Sequence, residues 1–74
     1  MRASATLKSI MAKKEVSIQE LAERTGKSPT TIYATFANDR KSKGGGMAFE
    51  NVVKFAEALG CEVVIRDKET GHIF

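Results

Sequence analysis

"LAERTGKSPTTIYATF", residues 21–36, sets a helical rhythm, breaks it at Thr25-Gly26, and restarts it through Ser28-Pro29 into a segment with no charged side chain as far as Phe36. The chain carries 12 Lys and Arg in 74 residues, so the neutrality of that segment needs a physical reason. Ala22, Gly26 and Ile32 supply one. Two helices that cross steeply around a short turn need a small side chain where they touch, a glycine at the corner and a branched apolar anchor on the second helix. Gly26 closes the first of them in the left-handed region. Ser28 is a good N-cap, and Pro29 sits at the first helical position, where its missing N–H costs nothing. Ile32 and Phe36, four apart, then face the core, while Thr30, Thr31, Tyr33 and Ala34 face outward.

Working outward, "SIQE" at 17–20 reads as a capping box that starts the helix carrying Leu21 and Ala22, with Val16 packed just before it. Upstream, Leu7, Ile10 and Met11 mark one buried stripe on a helix from about Ser4 to Lys14. Its outer face is rich in lysine. Downstream, residues 38–46, "NDRKSKGGG", read as a polar, basic, glycine-rich surface loop. A fourth helix is expected over Phe49 to Leu59, burying Phe49, Val52, Val53, Ala56 and Leu59, with Gly60 as its stop. Residues 46–48 offer it no capping side chain. From Cys61 the period changes: "CEVVIR" is β-branched, "DKETG" supplies turn residues, and "HIF" completes a small hairpin. The apolar residues of "EVVIR" fall on both faces, so both are expected to be covered.

At 74 residues the chain is one small domain near the lower limit for a self-sufficient core, so help from a partner chain is expected. An apolar content of 42% argues against wholesale disorder. The longest apolar run, Val63-Val64-Ile65, is far shorter than a bilayer span. A single cysteine and no secretory leader point to a cytoplasmic setting. Residues 1–43 hold nine basic side chains against four acidic ones, and residues 44–74 three against five, so one half of the chain is suited to polyanions. Cys61 with His72 lacks the further ligands of a metal site and the third group of a nucleophilic triad. The Gly triplet lacks the Lys-Ser/Thr of a phosphate loop. Neither a metal, a cofactor nor an enzymatic activity is expected.

With "VSIQELAERTGKSPTTIYATF" and "ENVVKFAEALG", the chain over roughly residues 5–60 resembles the lambda repressor/Cro-like family of XRE-type regulators. That resemblance implies a mainly α, four-helix DNA-binding bundle over residues 1–60, with the 61–74 hairpin or strand as a dimerisation element. It also implies that the helix at 28–37 enters the major groove of double-stranded DNA. Ser28, Pro29, Thr30, Thr31, Tyr33 and Ala34 would then meet bases, and Gln19, Lys27, Asn38, Arg40, Lys41 and Lys43 the phosphate backbone. A helix lying in a groove about 12 Å wide has to be slim and offer neutral hydroxyls and methyls, which accounts for the missing charge. Three departures stand out: Ile18 where many members carry a glutamine, with Gln19 adjacent; Thr35 in place of an apolar residue; and a longer loop after the recognition helix. Some antitoxin-type members dimerise by strand pairing, so Val63, Val64, Ile65, Ile73 and Phe74 are expected to join two chains; an intramolecular hairpin is the alternative. The competing functional reading is a protein-interaction module, or an antitoxin component that binds a toxin or other protein.

Overall fold

Local side-chain caps open two of the described helices, and residues in the left-handed region close two. The computed structural model describes residues 2–41 and 46–74, arranged as α1 (Ser4–Lys14), α2 (Ile18–Thr25), α3 (Pro29–Lys41) and α4 (Phe49–Ala58). The stretch 42–45 of the expected loop, with Lys43, lies outside the described residues.

The capping box opens α2 as its residues require: Ser17 Oγ accepts the Glu20 amide at 3.1 Å, and Glu20 Oε1 accepts the Ser17 amide at 3.4 Å. Gly26 ends it at φ 73°, its amide donating to the Ala22 carbonyl. No atom lies within 4 Å of where a Gly26 Cβ would stand, so the constraint at this corner is purely the backbone dihedral. α1 ends in the same left-handed geometry, but on Glu15 at φ 57°. The Val16 amide bonds the Met11 carbonyl and the Glu15 amide that of Ala12, a Schellman closure made without glycine.

Leu21, Ile32, Phe36, Phe55 and Leu59 are fully buried at the centre, with Phe36 and Phe55 edge to face at 5.6 Å between ring centroids. Leu7, Met11, Val16, Ala22, Met47 and Val52 complete the core. Ala22 is buried on α2, as a tight α2–α3 corner requires. The C-terminus of α4 is held by two cations from other helices. Lys14 Nζ donates to the Leu59 carbonyl at 2.6 Å and Arg24 Nη1 to the Ala58 carbonyl at 3.0 Å, where the helix dipole favours positive charge.

Several sequence expectations are corrected. α3 does not stop at residue 37; it runs through Asn38-Asp39-Arg40-Lys41, and Asp39 is buried. Its carboxylate accepts the Ser4 amide at 3.0 Å and the Met47 amide at 2.7 Å, so it caps the start of α1 and clamps the approach to α4. Hydrogen bonding from the Ser4 side chain, with the Ser4, Met47 and Ala3 amides, lowers its pKa to about 2 against the opposing effect of burial. Phe49 is 54% exposed and Val53 half-buried, whereas Met47, two residues before Phe49, is buried.

The C-terminal β-hairpin does not form. Among the described residues the tail holds one isolated antiparallel bridge, Arg66 to Ile73, and no strand. Val63, Val64, Ile65, Ile73 and Phe74 are all exposed, and although Val63 and Val64 border a groove with Leu7 and Ile10 of α1 and Val52 and Ala56 of α4, "EVVIR" is only partly covered within the chain. A two-residue contact without a third strand or a covering surface cannot carry a sheet, however β-branched the sequence.

Candidate nucleic-acid interface

The front of α3 is what the α2–α3 corner leaves protruding. Ser28, Pro29, Thr30, Thr31, Tyr33 and Ala34 are all exposed, while Ile32 and Phe36 on the opposite face are buried. Their hydroxyls are not equivalent. Ser28 Oγ accepts the Thr31 amide at 3.2 Å and lies 2.9 Å from Thr31 Oγ1, so both groups are engaged in capping the helix. Thr35 Oγ1 donates to the Thr31 carbonyl at 2.8 Å; this internal bond lets a threonine occupy the usually apolar position. Among the described residues neither the Thr30 nor the Tyr33 hydroxyl has a hydrogen-bond partner, which leaves both as open polar groups on this surface.

Because α3 has 13 residues, it extends about 20 Å and its outer stripe continues past residue 37. Thr30, Ala34, Asn38 and Lys41, successively four, four and three apart, share one exposed face. Asn38, Arg40 and Lys41 therefore stand on the last turns of α3, not in a loop. A neutral front turn is followed by a basic rear turn on one rigid element.

The rest of the surface gathers around the α2 N-terminus. Gln19, Lys27 and Pro29 line one shallow groove with Glu23. Tyr33, 62% exposed, and Arg40 line another with Lys8, Ser17 and Ile18. Lys8 Nζ lies 6.0 Å from the Phe36 ring centroid. Lys8, Ser17 and Ile18 were missed by sequence reasoning. The packing of α1 beside α3 brings Lys8 to this face, and the start of α2 brings Ser17 and Ile18. Glu23 is the one carboxylate in these two grooves.

Among the described residues there is no group of three or more His, Cys, Asp or Glu able to hold a metal ion, and no helix is long and apolar enough to cross a membrane. His72 stands exposed, its ring edge to face with Phe74 at 4.7 Å, and it shares no site with Cys61.

Comparison with known proteins agrees with this geometry. The family model of Cro/C1-type helix-turn-helix DNA-binding domains matches residues 6–64, from early α1 to the segment beyond α4. Neither the curated proteins nor the solved structures compared return a match. With that match over most of its length and α2, Gly26 and α3 in the expected relation, the chain belongs to the Cro/C1-type, lambda repressor-like family of helix-turn-helix DNA-binding regulators.

Proposed function

We propose that the chain is a sequence-specific transcriptional repressor that acts as a homodimer, each copy inserting the N-terminal half of α3 into the major groove of its half-site. One observation carries the reading: the neutral, exposed turn at residues 28–34 stands on a fully buried anchor, Ile32, and is flanked by cations. Side chains of that kind can reach base edges while phosphates are met at the margins. Thr30 is assigned the polar base contact, with Pro29 and Ala34 offering apolar surface to thymine methyls. Ser28 and Thr31 serve mainly to hold the helix start, and Tyr33 meets the groove wall. Gln19, Lys27, Asn38, Arg40, Lys41 and Lys43 contact the backbone. Repression follows from occupancy of the site.

In this reading residues 1–60 form the DNA-binding unit and residues 61–74 join the two copies through Val63, Val64, Ile65, Ile73 and Phe74. Selection from random duplexes with the purified protein tests the whole proposal. The expected product is a palindrome whose half-sites lie about 10 base pairs apart. Recovery of no enriched sequence overturns it. The exposed apolar tail favours the second reading, in which this bundle binds a partner protein, such as a toxin, through residues 63–65 and 73–74. Salt separates the two: DNA affinity falls steeply as counterions are reabsorbed, whereas an apolar protein contact changes little.

A further inference from the structure

The last turn of α3 is held from outside the helix. Phe36 is its last buried apolar residue, and the five residues that follow include two poor helix formers, Asn38 and Asp39, beside two exposed cations. A helix end of that composition frays unless something fixes it. Asp39, 2% exposed, supplies the fixing: its carboxylate accepts the Ser4 amide at 3.0 Å and the Met47 amide at 2.7 Å. Arg2 Nη1 donates to the Asp39 carbonyl at 2.9 Å. That carbonyl is one of the four that an α-helix leaves without an intrahelical partner at its C-terminus, where the dipole also favours a cation. Ala3, the N-cap of α1, makes no side-chain capping bond. The two helix ends therefore complete each other: Asp39 caps α1, and the start of α1 gives the last turn of α3 its buried anchor. Asn38 and Arg40 adjoin Asp39, and Lys41 lies two residues on, all three exposed. While this turn is helical, Lys41 stands about 16 Å along the axis from Thr30. A frayed turn loses that spacing, and its long side chains must then be ordered at the moment of binding.

We propose that Asp39 and Arg2 are positioning residues for DNA binding: without touching the duplex, they tie the N-terminal segment to α3 and hold Asn38, Arg40 and Lys41 where phosphates are met. The proposal deepens the DNA-binding reading and rests on it. An exposed carboxylate in the basic rear turn would repel phosphate, but that of Asp39 is turned into the protein, with its charge met by amides. Arg2 likewise directs a guanidinium nitrogen at the protein's own backbone. Both side chains act on the last turn of α3 from residues far apart in sequence, 35 positions for Ser4 to Asp39 and 37 for Arg2 to Asp39. The spacing between the neutral front turn and the basic rear turn is thus set by the N-terminal segment as well as by α3 itself.

The test is a double-mutant cycle on the full chain, read through DNA. Parent, Asp39→Asn, Arg2→Gln, Lys41→Ala and the Asp39→Asn/Lys41→Ala and Arg2→Gln/Lys41→Ala pairs are titrated with a selected and a scrambled duplex at several salt concentrations. Each is used at a temperature where circular dichroism shows it folded. Asp39→Asn should weaken binding to both duplexes alike and lower the salt slope by about one to two, for the contacts of Arg40 and Lys41. Lys41→Ala should then cost much less in the Asp39→Asn and Arg2→Gln backgrounds than in the parent, because residues that act through one another are not additive. Arg2→Lys, which keeps a cation at the same carbonyl, should bind as the parent does. A role in stability alone would lower Tm and leave the slope and the cycle unchanged in the folded variants. Additivity in one background overturns the role given to that residue, and additivity in both overturns the proposal while the DNA reading stands. Should Asp39→Asn fail to fold, the Arg2→Gln cycle decides alone. A parent that binds neither duplex overturns the DNA reading as well.

Discussion

Replacing Gly26 by alanine isolates the contribution of the α2–α3 corner. At φ 73° an L-residue brings its Cβ too close to the following carbonyl, at a cost of about 1–2 kcal/mol. Nothing stands within 4 Å of the new methyl group, so no steric clash adds to that figure. Alanine also narrows the unfolded ensemble, which returns about 0.4–1 kcal/mol. The net expectation is a loss of about 1 kcal/mol, a fall in Tm of roughly 4–8 °C for a domain this small. Urea denaturation followed by circular dichroism measures it, with the slope m unchanged because the folded packing is unchanged. Gly26→Asn should cost less, since asparagine tolerates the left-handed region. At temperatures where the variant is folded, its DNA sequence preference should match that of the parent. A loss of 3 kcal/mol or more would mean that the corner is packed against other atoms, and no loss at all would mean that Gly26 is not left-handed; either result refutes the reasoning.

Three further expectations follow from particular residues. Asp39 ionises at about 2 in the folded chain against an ordinary 3.8, so its stabilisation is complete above pH 4 and is lost as pH falls between these values; Asp39→Asn should flatten that part of an acid-unfolding curve, and an unaltered curve would contradict the clamp. Glu15 holds a left-handed dihedral without being glycine, so Glu15→Gly should raise stability by about 0.5–1 kcal/mol in thermal melts, and a loss would show that its side chain contributes more than the strain costs. Lys14→Met removes the ammonium from the C-terminus of α4 and should cost about 0.3–1 kcal/mol in low salt, shrinking as salt is raised; a salt-independent loss would point to packing instead.

Most helix boundaries were legible because their causes are local. The Ser17–Glu20 box, Gly26 and Ser28-Pro29 act within a few residues of themselves, and the structure realises each of them. The exposed front of α3 was legible for the same reason: Ile32 and Phe36 assign the buried face, and the remainder must point away. The length of α3 was not. Asn38-Asp39-Arg40-Lys41 has the composition of a loop, and it is helical in a fold where Asp39 is buried against Ser4 and Met47, partners 35 and 8 residues away. Spacing alone assigns Phe49 to the core, but Met47, two residues earlier, is the residue that is buried. The tail misled in a different way. β-branched residues favour a strand only when another strand or surface covers them, and "EVVIR" finds no partner strand among the described residues and only partial cover from α1 and α4.

DNA reading is assigned to the neutral turn at residues 28–34. Titrating a selected duplex and a scrambled one with the parent, Thr30→Phe and Lys41→Ala at several salt concentrations tests it most directly. Thr30→Phe should lose about 1–3 kcal/mol on the selected duplex and almost nothing on the scrambled one, whereas Lys41→Ala should weaken both alike and reduce the salt slope by about one. If Thr30→Phe binds the selected duplex as tightly as the parent does, the assigned recognition surface is wrong.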